Sequence, residues 1–575
     1  MGLKLASTMA ILFLFGLIYA VVFVIGVWFL PNSWWSLLFM VGITILIILF
    51  QYGISPLIVG WLYRITWIPY EQYIAQYPHL GDAINKVVAI QKIKPPQLGI
   101  IFNEFNPNAF TYGWTKNSAR LVITEGILEY LDEQEQTAVV AHELGHIVHN
   151  DFILMTVVFA IPLILLTIAR WSYYAVRFSG VRSGSRDKAN YLPLILIVVA
   201  VVSYLSYYIG YLVSLVVSRI REYYADQHSA EVTEDPNALS TALVRIAYGF
   251  LTYESEAEIK ERSKSRVRAL RGLGIFDPKK AHHFAVQGIG ASGEYSKENA
   301  EAAAGWDLFN PWAKYYQLFS THPLPAKRIQ RLNEQCEMYG KSVEIDFSQA
   351  RKIKEAQVGK SMIGEFLTDV FIKSLPSIVF FVLFVLSAIW LFAAIGWLNI
   401  GPLATFSNLV LMWATGFFVM GIAVIMRTSY MYRKGFKLAT VLELVTQINV
   451  SPVRPIPAIL KGTIIGKGIP GYVFSDDLYF QDDNGNAMRI DYRFGLSIVD
   501  FFWALTKVNR LIGQRVQIKG WYRRGPGPYL QVDTLETETG RRFRNYSKHM
   551  TYILAVVFFV ISALIFYFWF ATYIF

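Results

Sequence analysis

The sequence predicts a mainly α-helical, polytopic membrane protein with an α+β hydrophilic part and a small C-terminal β-barrel. Three observations lead there. The 575 residues are 54% hydrophobic, 15% aromatic and only 17% charged, with a mean hydropathy of +0.37, a balance that belongs to a membrane protein rather than a soluble enzyme. Seven apolar stretches are long enough, at about 20 residues, to cross the hydrocarbon core. From about Ile448 onward the pattern changes to short alternating runs separated by turns.

Residues 1–30 begin with Lys4 and run apolar from about Met9, too far for the core of a signal peptide. A second apolar run at 35–63 makes the opening a helical hairpin. Further spans are expected at 152–169, 192–217, 375–398, 406–426 and 551–570, none with a charged residue or histidine in its middle. Transporters and proton pumps carry such residues there, so the chemistry is expected outside the lipid. The spans pair first with second, third with fourth and fifth with sixth. Hydrophilic blocks at about 64–151, 218–374 and 427–549 then share one side. Arg64, Arg219, Arg221, Lys373, Arg427 and Lys548 crowd the ends of these blocks, and the links 31–34 and 399–405 have no basic residue. The blocks are therefore expected in the cytoplasm and the spans in the plasma membrane. The basic residues of the third-to-fourth connection, Arg170 to Lys188, run against that rule.

The expected organisation is a hairpin at 1–63, a first catalytic part at 64–151, a hairpin at 152–217 and a second catalytic part at 218–374. A third hairpin at 375–426, a β domain at 448–548 and a last helix at 551–575 complete it. In the first catalytic part, runs at 98–103, 109–114 and 120–125 read as strands of a small sheet, with Pro107-Asn108 as a turn. Such a sheet serves either as core alone or as an edge that pairs with extended substrate.

The next element carries the chemistry. Asp132 and Glu135 form a capping-box pattern ahead of the apolar run 138–140, so a helix is expected to carry His142-Glu143-Leu144-Gly145-His146. Residues four apart share one helix face, so His142 and His146 can present imidazoles to a single zinc, with Glu143 beside them. Zinc lowers the pKa of a bound water to about 7, and a nearby carboxylate can take its proton as it attacks a carbonyl. A third ligand is needed, and two candidates compete. His149 lies roughly 10 Å along the axis from His142, too far for one metal. Glu222, in Arg221-Glu222-Tyr223-Tyr224-Ala225-Asp226, is the better one, with Asp226 one turn on to accept the free N–H of a ligating histidine. The zinc helix is expected to run straight into the third span, and the fourth span straight into Glu222.

These motifs resemble the HtpX-type integral-membrane zinc metallopeptidases, relatives of the CaaX prenyl proteases. His142 to Ile147 with Asp151 and Thr156, Glu222 to Asp226, Pro107-Asn108-Ala109-Phe110 with Gly113, and Ser320-Thr321-His322-Pro323 with Arg328-Ile329 match in the family's order. The resemblance covers about residues 1–335. It implies a gluzincin-like catalytic domain, one Zn2+ per chain and zinc-dependent endopeptidase activity on membrane or unfolded proteins, in membrane protein quality control. It also implies that Asn108, Ala109 and Phe110 face substrate and that His322 works near the zinc, aimed at a developing oxyanion. Arg328 would pair with Asp226 or another acid of the site. A CaaX-type prenyl-protein protease, or a non-catalytic scaffold acting through the C-terminal domain, are the alternatives.

Asp235-Pro236 opens another helix. After it come an acidic run at 254–261, a basic run at 262–271 that suits either lipid headgroups or solvent, and a loop at 288–305. The adjacent His282 and His283 do not face one metal. The single Cys336 excludes an internal disulfide and sits in an acidic setting that raises its pKa. In the C-terminal domain, strands are expected at 458–466, 472–480, 487–492, 515–522 and 529–535. Asp483-Asn484-Gly485 would be a hairpin turn and 501–511 a helix, together an OB-like barrel. Trp521-Tyr522-Arg523-Arg524 with Tyr529 could grip single-stranded nucleic acid, but a barrel tethered between spans points to a regulatory, assembly or lipid-surface module. The expected partners are protein substrates and the bilayer, not nucleic acid, and the sequence assigns no oligomeric state.

Overall fold

The computed structural model describes residues 65–102, 107–178, 192–248, 297–357, 362–394, 405–467, 478–492, 511–525 and 527–573, with a few positions between 21 and 57. The first hairpin, the runs 254–271, His282, His283 and all but the last residue of the expected helix 501–511 lie outside or almost wholly outside them. The described residues form two compact units. One holds those up to Ala247 with Lys314–Asp346, the other Tyr248, 297–313 and those from Phe347 on.

The first unit is built on a four-stranded sheet ordered β1-β2-β4-β3. Its strands are β1 (Thr66–Ile68), β2 (Gln97–Ile101), β3 (Ala109–Tyr112) and β4 (Arg120–Thr124). Three-residue β1 is too short to carry a period and is not expected from the sequence. The period of two sends Phe110 and Tyr112 into a core cluster with Ile101 and Val122, which leaves Thr111 on the opposite face of edge strand β3.

Helix α1 (Glu133–Val148) starts on the expected capping box: the Asp132 carboxylate accepts from the Glu135 amide at 3.0 Å and Glu135 from the Asp132 amide at 3.1 Å. It does not run straight on. His149 caps it, Asn150 takes a left-handed conformation at φ 57°, and α2 (Asp151–Phe178) begins anew. Asparagine tolerates that conformation because its short polar side chain can bond locally. By contrast α3 (Leu192–Thr233) is one helix of 42 residues from its apolar start through Glu222. Helices α2 and α3 pack through Val158, Ile161, Leu165 and Val217, and Ser214 donates to the Val158 carbonyl at 2.9 Å. Helix α4 (Pro325–Cys336) opens with proline in its first turn and buries Arg328, Ile329, Leu332 and Cys336.

In the second unit, α5 (Ile363–Ala394), α6 (Phe406–Met431) and α7 (Ser547–Tyr573) are long and apolar. With α2 and α3 they make five helices, among the described residues, that are long and apolar enough to cross a membrane, at the places of the last five expected spans. Between α6 and α7 come the two-residue strand β5 (Lys437–Leu438) and a barrel of β6 (Ile456–Lys467), β7 (Leu478–Asp482), β8 (Ala487–Asp491), β9 (Arg515–Arg524) and β10 (Pro528–Thr537), with β5 flanking β6. Pairing runs β6-β7-β8-β10-β9 and back to β6, with only β8 and β10 parallel, so five strands close, as in an OB-type barrel. Gly485, at φ 82°, makes the expected hairpin turn.

One expectation fails in this unit. Residues 297–305 are not loop but belong to a helix, Lys297–Phe309, because Ala-rich Glu-Asn-Ala-Glu-Ala-Ala-Ala has strong helix propensity. Trp521, Tyr522, Arg523 and Arg524 are all buried, so the patch weighed above as a stacking surface faces inward. Arg524 donates to the Val445 and Ala303 carbonyls at 2.8 and 2.9 Å, and Arg523 to those of Pro452 and Met431 at 2.8 and 2.6 Å. These cations bind main chain inside the unit and stack over Trp306 and Tyr432.

Candidate metal centre

His142 and His146, one turn apart on α1, point the same way, with ring centroids 4.9 Å apart and planes at 89°. Glu222 of α3 faces both. Its Oε2 lies 3.7 Å from His142 Nε2 and its Oε1 3.8 Å from His146 Nε2, and the three ligand atoms fall within 4.8 Å of one another. Those gaps are too long for hydrogen bonds and close to the separation, about 3.4 Å, of two ligands on one tetrahedral zinc with bonds of about 2.1 Å. His142 Nε2 is fully buried with no hydrogen-bond partner among the described residues. Burying a polar atom that way is costly, and a two-nitrogen, one-carboxylate set suits zinc. The residues present fit the metal.

Each histidine is aimed by an acid on its other nitrogen. His142 Nδ1 is 3.0 Å from Asp226 Oδ1, one turn beyond Glu222, and His146 Nδ1 is 2.7 Å from Asp151 Oδ2. That arrangement fixes the ring and leaves Nε2 for a metal. Burial opposes a charge on His146, but the hydrogen bond and charge of Asp151, with Glu143 and Glu222 nearby, push it up to about 9. Arg328, wholly buried, donates to Asp226 through Nε at 2.9 Å and through Nη2, and its Nη1 sits 3.3 Å from Glu222 Oε2. His322 Nδ1 lies 3.1 Å from Glu222 Oε1, so this ring sits on the ligand carboxylate.

Glu143 is almost fully buried beside the histidines. Burial pushes its carboxyl up, against the pull of His146 and His142. Thr111 of β3 donates to its Oε2 at 3.2 Å. Asn108 leads into Ala109 and Phe110 of the same edge strand, but all three are buried, and the Asn108 main chain is already paired with Thr124, its amide donating to Oγ1 at 2.8 Å and its carbonyl accepting from the Thr124 amide at 2.9 Å. Gly145 lets α1 meet α3: a Cβ there would stand 3.0 Å from His228 Cβ and 3.1 Å from Ala225 Cα.

Sequence reasoning missed the roles of four residues. Asp151, named there only within the motif that begins at His142, is placed by the Asn150 turn, and Asn-Asp between two helical patterns is the signal for it. Arg219 and Arg221 are not exposed basic flanks. Arg219 is buried and donates to the carbonyls of Gln317 and Ser320 at 2.7 and 2.8 Å, which fixes the approach to His322. Arg221 donates to Asp151 Oδ1 at 2.5 Å. Thr111 could have been found from strand alternation around Phe110. Cys336 is buried under α4, where burial with Asp235 and Glu344 pushes its thiol up, and it takes no part in the site.

Comparison with known proteins agrees with this geometry. Residues 75–336 match the family model described as Peptidase family M48. A protein named Protease HtpX homolog from Methanothermobacter thermautotrophicus is 37% identical over 245 residues, 42% of this chain and 85% of the relative. Another of that name from Aeropyrum pernix is 30% identical over 325 residues, 55% of this chain and 93% of the relative. A third, from Thermococcus sibiricus, is 26% identical over 344 residues, 59% and 98% of the two chains. No solved structure matches. The C-terminal barrel, β6 to β10, lies beyond the residues matched by the family model. A chain with this much of the relatives' length and this cluster at its centre belongs to peptidase family M48, as an HtpX-type metallopeptidase.

Proposed function

We propose that the chain is a membrane-embedded zinc endopeptidase, its site at the cytoplasmic face of the plasma membrane, that cleaves membrane or unfolded proteins in quality control. The observation that carries this reading is the triangle of buried His142 Nε2, half-buried His146 Nε2 and buried Glu222, each histidine backed by its own carboxylate. His142, His146 and Glu222 would hold one zinc, which when bound supplies an acidified water and a polarised scissile carbonyl. Glu143 is the general base, adjacent to both histidines and able to take a proton and return it to the leaving amine. Asp226 and Asp151 keep the ligating tautomers. Arg328 balances the negative charge of Asp226 and Glu222, and keeps both acids fixed. His322, with its ring on Glu222, stands where a donor to the developing oxyanion is useful. Extended substrate would pair with the open edge of β3 at Ala109 and Phe110, just after Asn108, through main-chain bonds that tolerate many sequences.

Zinc per mole and peptidase activity of Glu143→Ala and Glu222→Ala test the assignment. Glu143→Ala is expected to keep the metal and lose turnover by at least about 10³-fold, whereas Glu222→Ala loses both. Wild-type cleavage by Glu143→Ala would overturn the mechanism.

A further inference from the structure

We propose that Thr111 is a positioning residue for Glu143: its hydroxyl fixes the orientation of the base and ties it to the edge strand that presents substrate. The inference rests on Glu143 being the general base. Thr111 Oγ1 donates to Glu143 Oε2 at 3.2 Å, and the strand dictates that it does so. Phe110 and Tyr112 on either side are committed to the core, their rings stacked at 6.0 Å, and β4 holds Thr111 in register with Leu121. Its side chain must then leave the other face, toward α1. A β-branched residue has little freedom about χ1, so the direction of the donor follows from the backbone.

Glu143 is the opposite case, a side chain with three rotatable bonds that its own helix does not orient. The Thr111 hydroxyl, donated to Oε2 at 3.2 Å, fixes the plane of its carboxylate. The same residue belongs to β3, whose outer side is the sheet edge. The register of a peptide paired there and the position of the base would thus be set by one backbone, and small misplacements of a reacting group are costly in rate.

The test uses the full chain in bilayer vesicles with one peptide substrate, comparing Thr111→Val, which keeps the shape and removes the donor, with Thr111→Ser, which keeps the donor. Thr111→Val is expected to lower kcat about 10- to 100-fold, with KM within about twofold and zinc per mole unchanged. Thr111→Ser should recover kcat to within about threefold of wild type. In a Glu143→Gln background, Thr111→Val should change neither the residual rate nor the affinity for labelled peptide. Equal losses in Val and Ser, or loss of zinc in Val, would overturn the positioning role in favour of packing. Glu143→Ala, run alongside, separates the two readings. If it is inactive while Thr111→Val turns over at the wild-type rate, the positioning role fails and the base assignment stands; if it turns over like wild type, both fail.

Discussion

His142 and His146 sit on one helix, but the acids that aim them come from different elements. Asp226 follows Glu222 on α3 and is locked by Arg328, while Asp151 opens α2 and is shared with Arg221. Asp151→Asn should therefore weaken zinc binding by about 10- to 100-fold, seen as faster loss to a competing chelator, because the amide presents no charge to the His146 N–H. An unchanged chelator competition curve would show that His146 needs no such support. The two halves of this site differ in how well they can be read. The i,i+4 spacing of the histidines and of Glu222 with Asp226 is local helix geometry, so sequence alone puts those pairs on common faces. Asp151 is equally close in sequence, yet a continued helix would have carried it round the axis. Only the left-handed Asn150 turns it back to His146. Arg328 and His322 come from over a hundred residues beyond α1, and no local rule brings them there.

At the scale of elements, the contact between α1 and α3 decides whether the ligands meet. Gly145 is a point of close approach, where a methyl group would press on backbone at Ala225 and on His228. Helix packing gives by a few tenths of an ångström at some cost, so Gly145→Ala should destabilise the protein by about 1–3 kcal/mol and lower zinc occupancy. Gly145→Val should do more of both. Melting temperature and metal content of the purified variants check this, and full zinc with wild-type melting in Gly145→Val would refute it. The elements themselves were legible where a strong period or a cap marks them: the capping box of α1, the five long helices and the alternating barrel strands. Short β1 was not, since three residues carry no period. The helix Lys297–Phe309 was hidden by the glycine at each end of the stretch read as loop. What holds it is tertiary, with Trp306 donating to the Val450 carbonyl and Arg524 to that of Ala303.

Across the whole molecule, the membrane can act on the site through one rigid element. Helix α3 is continuous from its apolar start through Glu222 and Asp226, so any tilt of the span moves a ligand and the acid behind another ligand together. The α1 side is different. The break at Asn150 separates the histidine helix from α2, and what crosses it is Asp151, bonded at once to His146 and to Arg221 of α3. Tilting the α2–α3 hairpin should therefore shift Glu222 against the two histidines, while Asp151 limits how far His146 lags behind. Bilayers thinner or thicker than the hydrophobic length impose such tilts at fractions of a kcal/mol per ångström of mismatch, which corresponds to about two- to tenfold in rate over a few ångströms. Turnover of one soluble peptide should consequently pass through a maximum as vesicle thickness is varied, and zinc occupancy should hold until the extremes. The measurement compares thin, intermediate and thick vesicles with metal content checked in each. A flat profile at equal occupancy would mean that the α3 helix absorbs mismatch above Arg219, where that side chain pins the Gln317–Ser320 carbonyls, and that the centre is mechanically insulated from the lipid.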